Sequence, residues 1–166
     1  MVSVIWGGIA MVLGLLVVVV ESAIGLHDDG VSHANVALWL LITPIVAVGS
    51  MVHRRRTTQE HVRYGTMFLQ GLGASALSTI GLLLVWFFVT GVMLPGYFPL
   101  MHGFAMKQAI AQGHKGMQLA MDLHVAMLIF AAPTFYIISA VVPLLAGTIA
   151  SVIAAFGLRS AKGNRS

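Results

Sequence analysis

Four apolar, nearly uncharged stretches alternate with short polar segments along this chain, over residues 1–22, 35–52, 66–94 and 125–158. Crossing the hydrocarbon core of roughly 30 Å takes about 20 apolar residues as helix, with every backbone amide bonded inside the segment. Each stretch therefore predicts a membrane-spanning helix. The first carries no charge before Glu21. A cleavable signal peptide would bring a basic start and a shorter apolar run, so a retained span is expected. The second turns around Pro44, and the third opens on small residues and ends in "LLLVWFFVTGVML". The fourth is longer than a bilayer requires and contains Pro133 and Pro143, which predicts a kink or a portion lying in the interface.

The pattern changes between the third and fourth stretches, over residues 99–124. Met106, Ile110, Gly113, Met117, Met121 and His124 recur at steps of three and four, with Lys107, His114, Lys115, Gln118 and Asp122 on the other side. That is an amphipathic helical period. Two glycines in "GHKG" at 113–116 each cost about 1 kcal/mol against alanine inside a helix, so two short helices with a turn there are expected rather than one rod. Pro95 and Pro99 in "LPGYFPL" end the third span and turn the chain onto the membrane surface, where Tyr97 and Phe98 suit the interfacial aromatic belt. The apolar side of this insert is expected against headgroups or span ends, with His114 and Lys115 exposed at the turn.

Composition agrees with the pattern: 58% of residues are hydrophobic, 8% are charged, and the mean hydropathy is +0.94, far from a water-soluble domain of this length. The net charge of +4 does not point to nucleic acid, because the basic residues flank apolar spans rather than covering a soluble face. Arg54, Arg55, Arg56 and Arg63 lie between spans two and three, and Arg159, Lys162 and Arg165 follow span four. Basic loops are retained in the cytoplasm, so both termini are expected there and the insert on the exoplasmic side. Cysteine is absent, which removes disulfides, thiolate metal sites and cysteine nucleophiles together.

The basic patch before "YGTMFLQGLGAS", the "LPGYF" that ends span three, the weakly polar helical insert and the closing "PLLAGTIASVIAAFGLR" follow one layout over nearly the whole chain. In these features the chain resembles the bacterial four-span family termed domain of unknown function 4199. The resemblance implies a helical membrane bundle of unsettled function in a bacterial inner membrane, with no catalytic residues to carry over. The insert departs from the family pattern in being rich in histidine and methionine instead of acidic residues and lysine.

Candidate chemistry concentrates on the expected exoplasmic face. His27, Asp28, Asp29 and His33 fall in the first loop, and His102, His114, Asp122 and His124 in the insert. Imidazole and carboxylate together suit zinc, nickel, copper or manganese, and thioether would add a soft ligand for Cu(I). His27, Asp28, His33, His102, Asp122 and His124 are thus candidate metal ligands, although Asp122 and His124, two apart, point to different faces of a helix. The plainer reading is a polar loop wetting the span ends, and it takes precedence because a metal needs three or four converging ligands. Glu21 stands at the outer end of span one, either as an interfacial carboxylate in water or as a coupling group, with water preferred.

Small residues recur every fourth position as Gly71, Ser75 and Thr79 in span three and as Gly147, Ser151 and Ala155 in span four. Such stripes let helix backbones approach closely, so these two faces are expected to pack, within one chain or between copies. No phosphate loop, nucleophile elbow or intramembrane carboxylate pair occurs, so neither catalysis nor an organic cofactor is expected. The expected architecture is all-α, a four-helix membrane bundle with an exoplasmic amphipathic insert. Its expected role is an accessory or assembly module that meets the lipid bilayer and either a membrane-protein partner or further copies of itself. The alternative is transport or binding of a small solute or metal ion through the outer His and Asp groups.

Overall fold

A computed structural model describes residues 2–23, 33–58 and 62–158. Every regular element among them is helical: α1 (Val2–Ala23), α2 (His33–Thr57), α3 (Tyr64–Phe88), α4 (Tyr97–Ala111), α5 (Gly116–Ile129) and α6 (Ala132–Leu158). A π-helical turn, Val89–Met93, prolongs α3. Three helical runs among the described residues are long and apolar enough to cross a membrane, namely Val2–Glu21, Tyr64–Met93 and Ala132–Leu158. The chain is therefore a helical membrane protein. The 25-residue α2 packs with all three and carries Arg54, Arg55 and Arg56 in its last turn.

The inward faces explain who sits where. α1 buries a single stripe at steps of three and four, Gly7, Ala10, Gly14, Val18 and Glu21. α6 buries an equally narrow one, Pro143, Gly147, Ser151 and Ala155. The central helices bury broader faces, including Ile42, Thr43, Val46, Ala47, Ser50 and Met51 on α2, and Gln70, Gly71, Ala74, Ser75, Ser78 and Thr79 on α3. A narrow stripe serves neighbours on one side, and a broad one serves neighbours on two. Accordingly α2 and α3 pack on each other, and each packs on both α1 and α6. The aliphatic residues turned outward, such as Val12, Leu16, Ile149 and Ile153, are exposed, as suits a surface that lipid covers.

α3 and α6 meet through their small residues. A Cβ added at Gly71 would lie 2.8 Å from the Ser151 Cβ, and one added at Gly147 would lie 2.8 Å from the Ser75 Cβ. Each serine hydroxyl donates within its own helix, Ser75 to the Gly71 carbonyl at 2.9 Å and Ser151 to the Gly147 carbonyl at 2.7 Å. The buried hydroxyls are thereby satisfied without holding the helices apart. At one end of the bundle Arg54 donates to Gln70 Oε1 at 2.9 Å, Gln70 donates to Ser3 Oγ at 2.8 Å, and Arg55 reaches the Leu158 carbonyl. The start of α1, the end of α2, the start of α3 and the end of α6 therefore share this basic end.

The boundary between insert and last span differs from the sequence expectation. The polar–apolar switch suggests 99–124 followed by 125–158, whereas the helical hairpin occupies 97–129 and α6 starts at Ala132. The reason is Pro133, which has no amide to give the Ile129 carbonyl, so the helix breaks at Phe130 and Ala131 despite unbroken apolar composition. Pro133 itself sits in the first turn of α6, where proline is tolerated. Within the hairpin α4 and α5 pack on each other, and the turn at 112–115 is closed by Gly113, whose φ of +80° is costly for a residue with a Cβ.

Candidate functional site

At the end of the bundle away from the arginines, α2, α3, α4, α5 and α6 surround a partly enclosed cavity of about 490 Å³. Its wall is aromatic because the helix ends place rings at matching heights. Trp39 of α2 lies 5.0 Å from Trp86 of α3, and Trp86 lies 5.0 Å from Phe135 of α6 in an edge-on contact. Tyr97, the first residue of α4, closes the group at 5.5 Å from both Trp86 and Phe135. Phe104, Met101 and Phe130 complete the side made by the hairpin. The π-helical turn that follows Trp86 lets Thr90 Oγ1 meet the Tyr136 hydroxyl at 2.6 Å, and Tyr136 stacks on Phe87 at 4.2 Å.

Polar groups in the wall are few. Gln108 and Ser139 contribute an amide and a hydroxyl. Two lining residues also stand four positions before a helical proline: Leu40 before Pro44, and Ser139 before Pro143. Proline has no N–H, so the Leu40 and Ser139 carbonyls lack the amide that would normally occupy them. The site therefore combines an apolar, ring-rich body with two polar side chains, the mixture that orients a largely hydrophobic ligand through one or two polar contacts. Among the described residues its wall has no carboxylate, imidazole or basic group.

Glu21 corrects the expectation of an interfacial carboxylate in water. It is 4% exposed, because it falls on the inward stripe of α1 one helical step beyond Val18. The Tyr97 phenol is pushed above its ordinary range by burial first and by the neighbouring Glu21 carboxyl group second.

The histidine-rich positions are dispersed. His27, Asp28 and Asp29 lie outside the described residues, and so do Arg159, Lys162 and Arg165; His33 is known only as the first residue of α2. His114 Nδ1 pairs with Asp122 Oδ2 at 2.5 Å across the hairpin turn, and His124 is exposed elsewhere on α5. His102 is half-buried with its ring 6.4 Å from Phe130, and its Nε2 has no partner among the described residues. Among these residues no three His, Asp or Glu side chains converge. The expected apolar side of the insert is not covered by the spans either, since Met117 is 82% and Met121 64% exposed, with Met106 and Ile110 exposed beside them. The hairpin instead buries Tyr97, Met101, Ala109 and Ala126.

The small-residue seam and the turn are written in local period and glycine spacing. The cavity is not, because it joins residues from five helices. Its one sequence signal is the pair of prolines inside helices, each with a cavity residue one turn earlier. Comparisons with family models, curated proteins and solved structures return no match for this chain.

Proposed function

We propose that this chain is a non-enzymatic four-span protein of a bacterial inner membrane that holds a hydrophobic ligand taken from the bilayer. The reading takes α2 as the fourth span, both ends as cytoplasmic and the hairpin 97–129 as an exoplasmic cover. Support for four spans comes from the length of α2 and its packing against the three apolar helices. Support for the orientation comes from Arg54, Arg55 and Arg56 in the last turn of α2 and Arg63 just before α3, at the end that also holds the start of α1 and the end of α6.

The cavity carries the proposal. Its wall of rings and aliphatic side chains disfavours a hydrated ion, and the Gln108 amide and Ser139 hydroxyl suit a single polar group on an otherwise apolar molecule. An accessory role follows from the hairpin, which offers Met106, Ile110, Met117 and Met121 to lipid headgroups or to a membrane partner while it covers the ligand. The test is solvent extraction and mass spectrometry of the full chain purified in mild detergent. A single hydrophobic species should accompany the wild type at near one per chain and be lost from Ala105→Trp, whose indole fills the cavity. Equal recovery from both proteins would overturn the reading.

A further inference from the structure

The basic end of the bundle holds a second recess, independent of the outer cavity. It lies between α1 and α2, has a volume of about 440 Å³ and is lined by Trp6, Gly49, Val52, His53, Arg56 and Thr57. Three consecutive arginines end α2, and the structure divides their work. Arg54 is bound to Gln70 and Arg55 to the Leu158 carbonyl, whereas Arg56 lines the recess and has no acceptor among the described residues. The position of Trp6 is built as well. A Cβ at Gly49 would come within 2.6 Å of the Trp6 ring, so the indole occupies the space that the missing side chain leaves. His53 meets Trp6 edge-on at 6.4 Å, and the Trp6 indole N–H has no partner among the described residues.

We infer that this recess binds the phosphodiester headgroup of an anionic phospholipid, with Arg56 as the principal contact. A guanidinium beside an imidazole matches phosphate, and arginine presents paired donors to its oxygens, while the Thr57 hydroxyl donates back to the His53 carbonyl at 3.0 Å. A lipid fits better than free phosphate because apolar track continues from the recess along both helices. By helical period Ile9 and Leu13 extend the face of Trp6, while Ile45 and Leu41 extend that of Gly49, and all four are exposed. Acyl chains lie along that track while the headgroup stays at the helix ends, the level at which tryptophan and arginine anchor membrane proteins.

The test uses the full chain in detergent, incubated with phosphatidylglycerol or phosphatidylcholine and examined by native mass spectrometry. The chain should retain phosphatidylglycerol over phosphatidylcholine. Arg56→Gln should reduce the retained fraction about fivefold, the factor that corresponds to about 1 kcal/mol for one basic residue at an anionic lipid surface. Gly49→Ala, which displaces Trp6 without changing charge, should also weaken retention, and Arg63→Gln should leave it unchanged. Thermal stability of each variant in detergent separates lost binding from lost fold. Equal losses in Arg56→Gln and Arg63→Gln would show nonspecific attraction and overturn the site. Displacement by millimolar inorganic phosphate as readily as by phosphatidylglycerol would overturn the lipid assignment.

Discussion

Gly71 of α3 and Ser151 of α6 stand so close that a Cβ on the glycine would lie 2.8 Å from that of the serine, and Gly147 and Ser75 repeat the relationship one turn away with the roles exchanged. Met51 Sδ closes the same place from α2, 2.6 Å from the Cβ that Gly71 lacks. Leucine at either glycine would force two helices apart. Overpacking of this kind costs about 1–3 kcal/mol, so Gly71→Leu and Gly147→Leu should lower the melting temperature in detergent. Leu83→Ile, a volume-conserving change on the same span, should leave it nearly unchanged. Identical melting of the three proteins would disprove close packing at this seam.

Gln70 joins three helices by accepting from Arg54 and donating to Ser3. Gln70→Leu keeps the bulk but strips both bonds and leaves the half-buried guanidinium of Arg54 without its acceptor. A loss of about 1–3 kcal/mol is expected, measured as a lower midpoint of denaturation in mixed micelles. A midpoint equal to that of the wild type would mean that water satisfies Arg54 equally well.

The hairpin turn depends on Gly113 and on the His114–Asp122 pair. Alanine in the left-handed conformation costs about 1–2 kcal/mol, so Gly113→Ala should speed amide exchange across residues 112–118 while exchange in α3 and α6 stays at its wild-type rate. Asp122→Asn, which removes the charged acceptor but keeps the shape, should produce a smaller change in the same segment. Unchanged exchange in both variants would mean that the contact between α4 and α5 alone fixes the turn.

Single cysteines can be placed cleanly in a chain that has none. In intact membranes a membrane-impermeant maleimide should label position 118 quickly and position 117 slowly, because lipid headgroups cover Met117. After delipidation both should label quickly, since neither is covered by the protein itself. Ala109 is buried within the fold and should label slowly under both conditions. Equally fast labelling at 117 and 118 in membranes would show that this face meets water.

How far the sequence discloses this architecture depends on the range of the interaction. The seam at Gly71, Ser75, Gly147 and Ser151 repeats every fourth residue, so one span at a time reveals it. The turn at Gly113 is equally local. Glu21 was readable in principle, because Gly7, Ala10, Gly14 and Val18 lead to it along one face, yet its charge argues for water more loudly than its position argues for burial. The meeting of Trp39, Trp86, Tyr97 and Phe135 brings together residues of four helices, and no spacing within any one helix encodes it. The extension of the hairpin to Ile129 escapes composition for another reason: Val125–Ile129 is as apolar as a span, and only the missing amide of Pro133 marks where the chain stops being one helix.

The serines of the seam donate inside their own helices, so no hydrogen bond there fixes how far α6 has slid along α3. A slip of four residues, about 6 Å of travel, would again set small residues against small ones. Registration must therefore be held at the tips. Tyr136 grips Thr90 near one end, and the Leu158 carbonyl receives Arg55 at the other, so the helix is pinned like a rule between two stops. Removing both pins while leaving every small residue in place would yield a bundle that still forms but has more than one setting of its last helix.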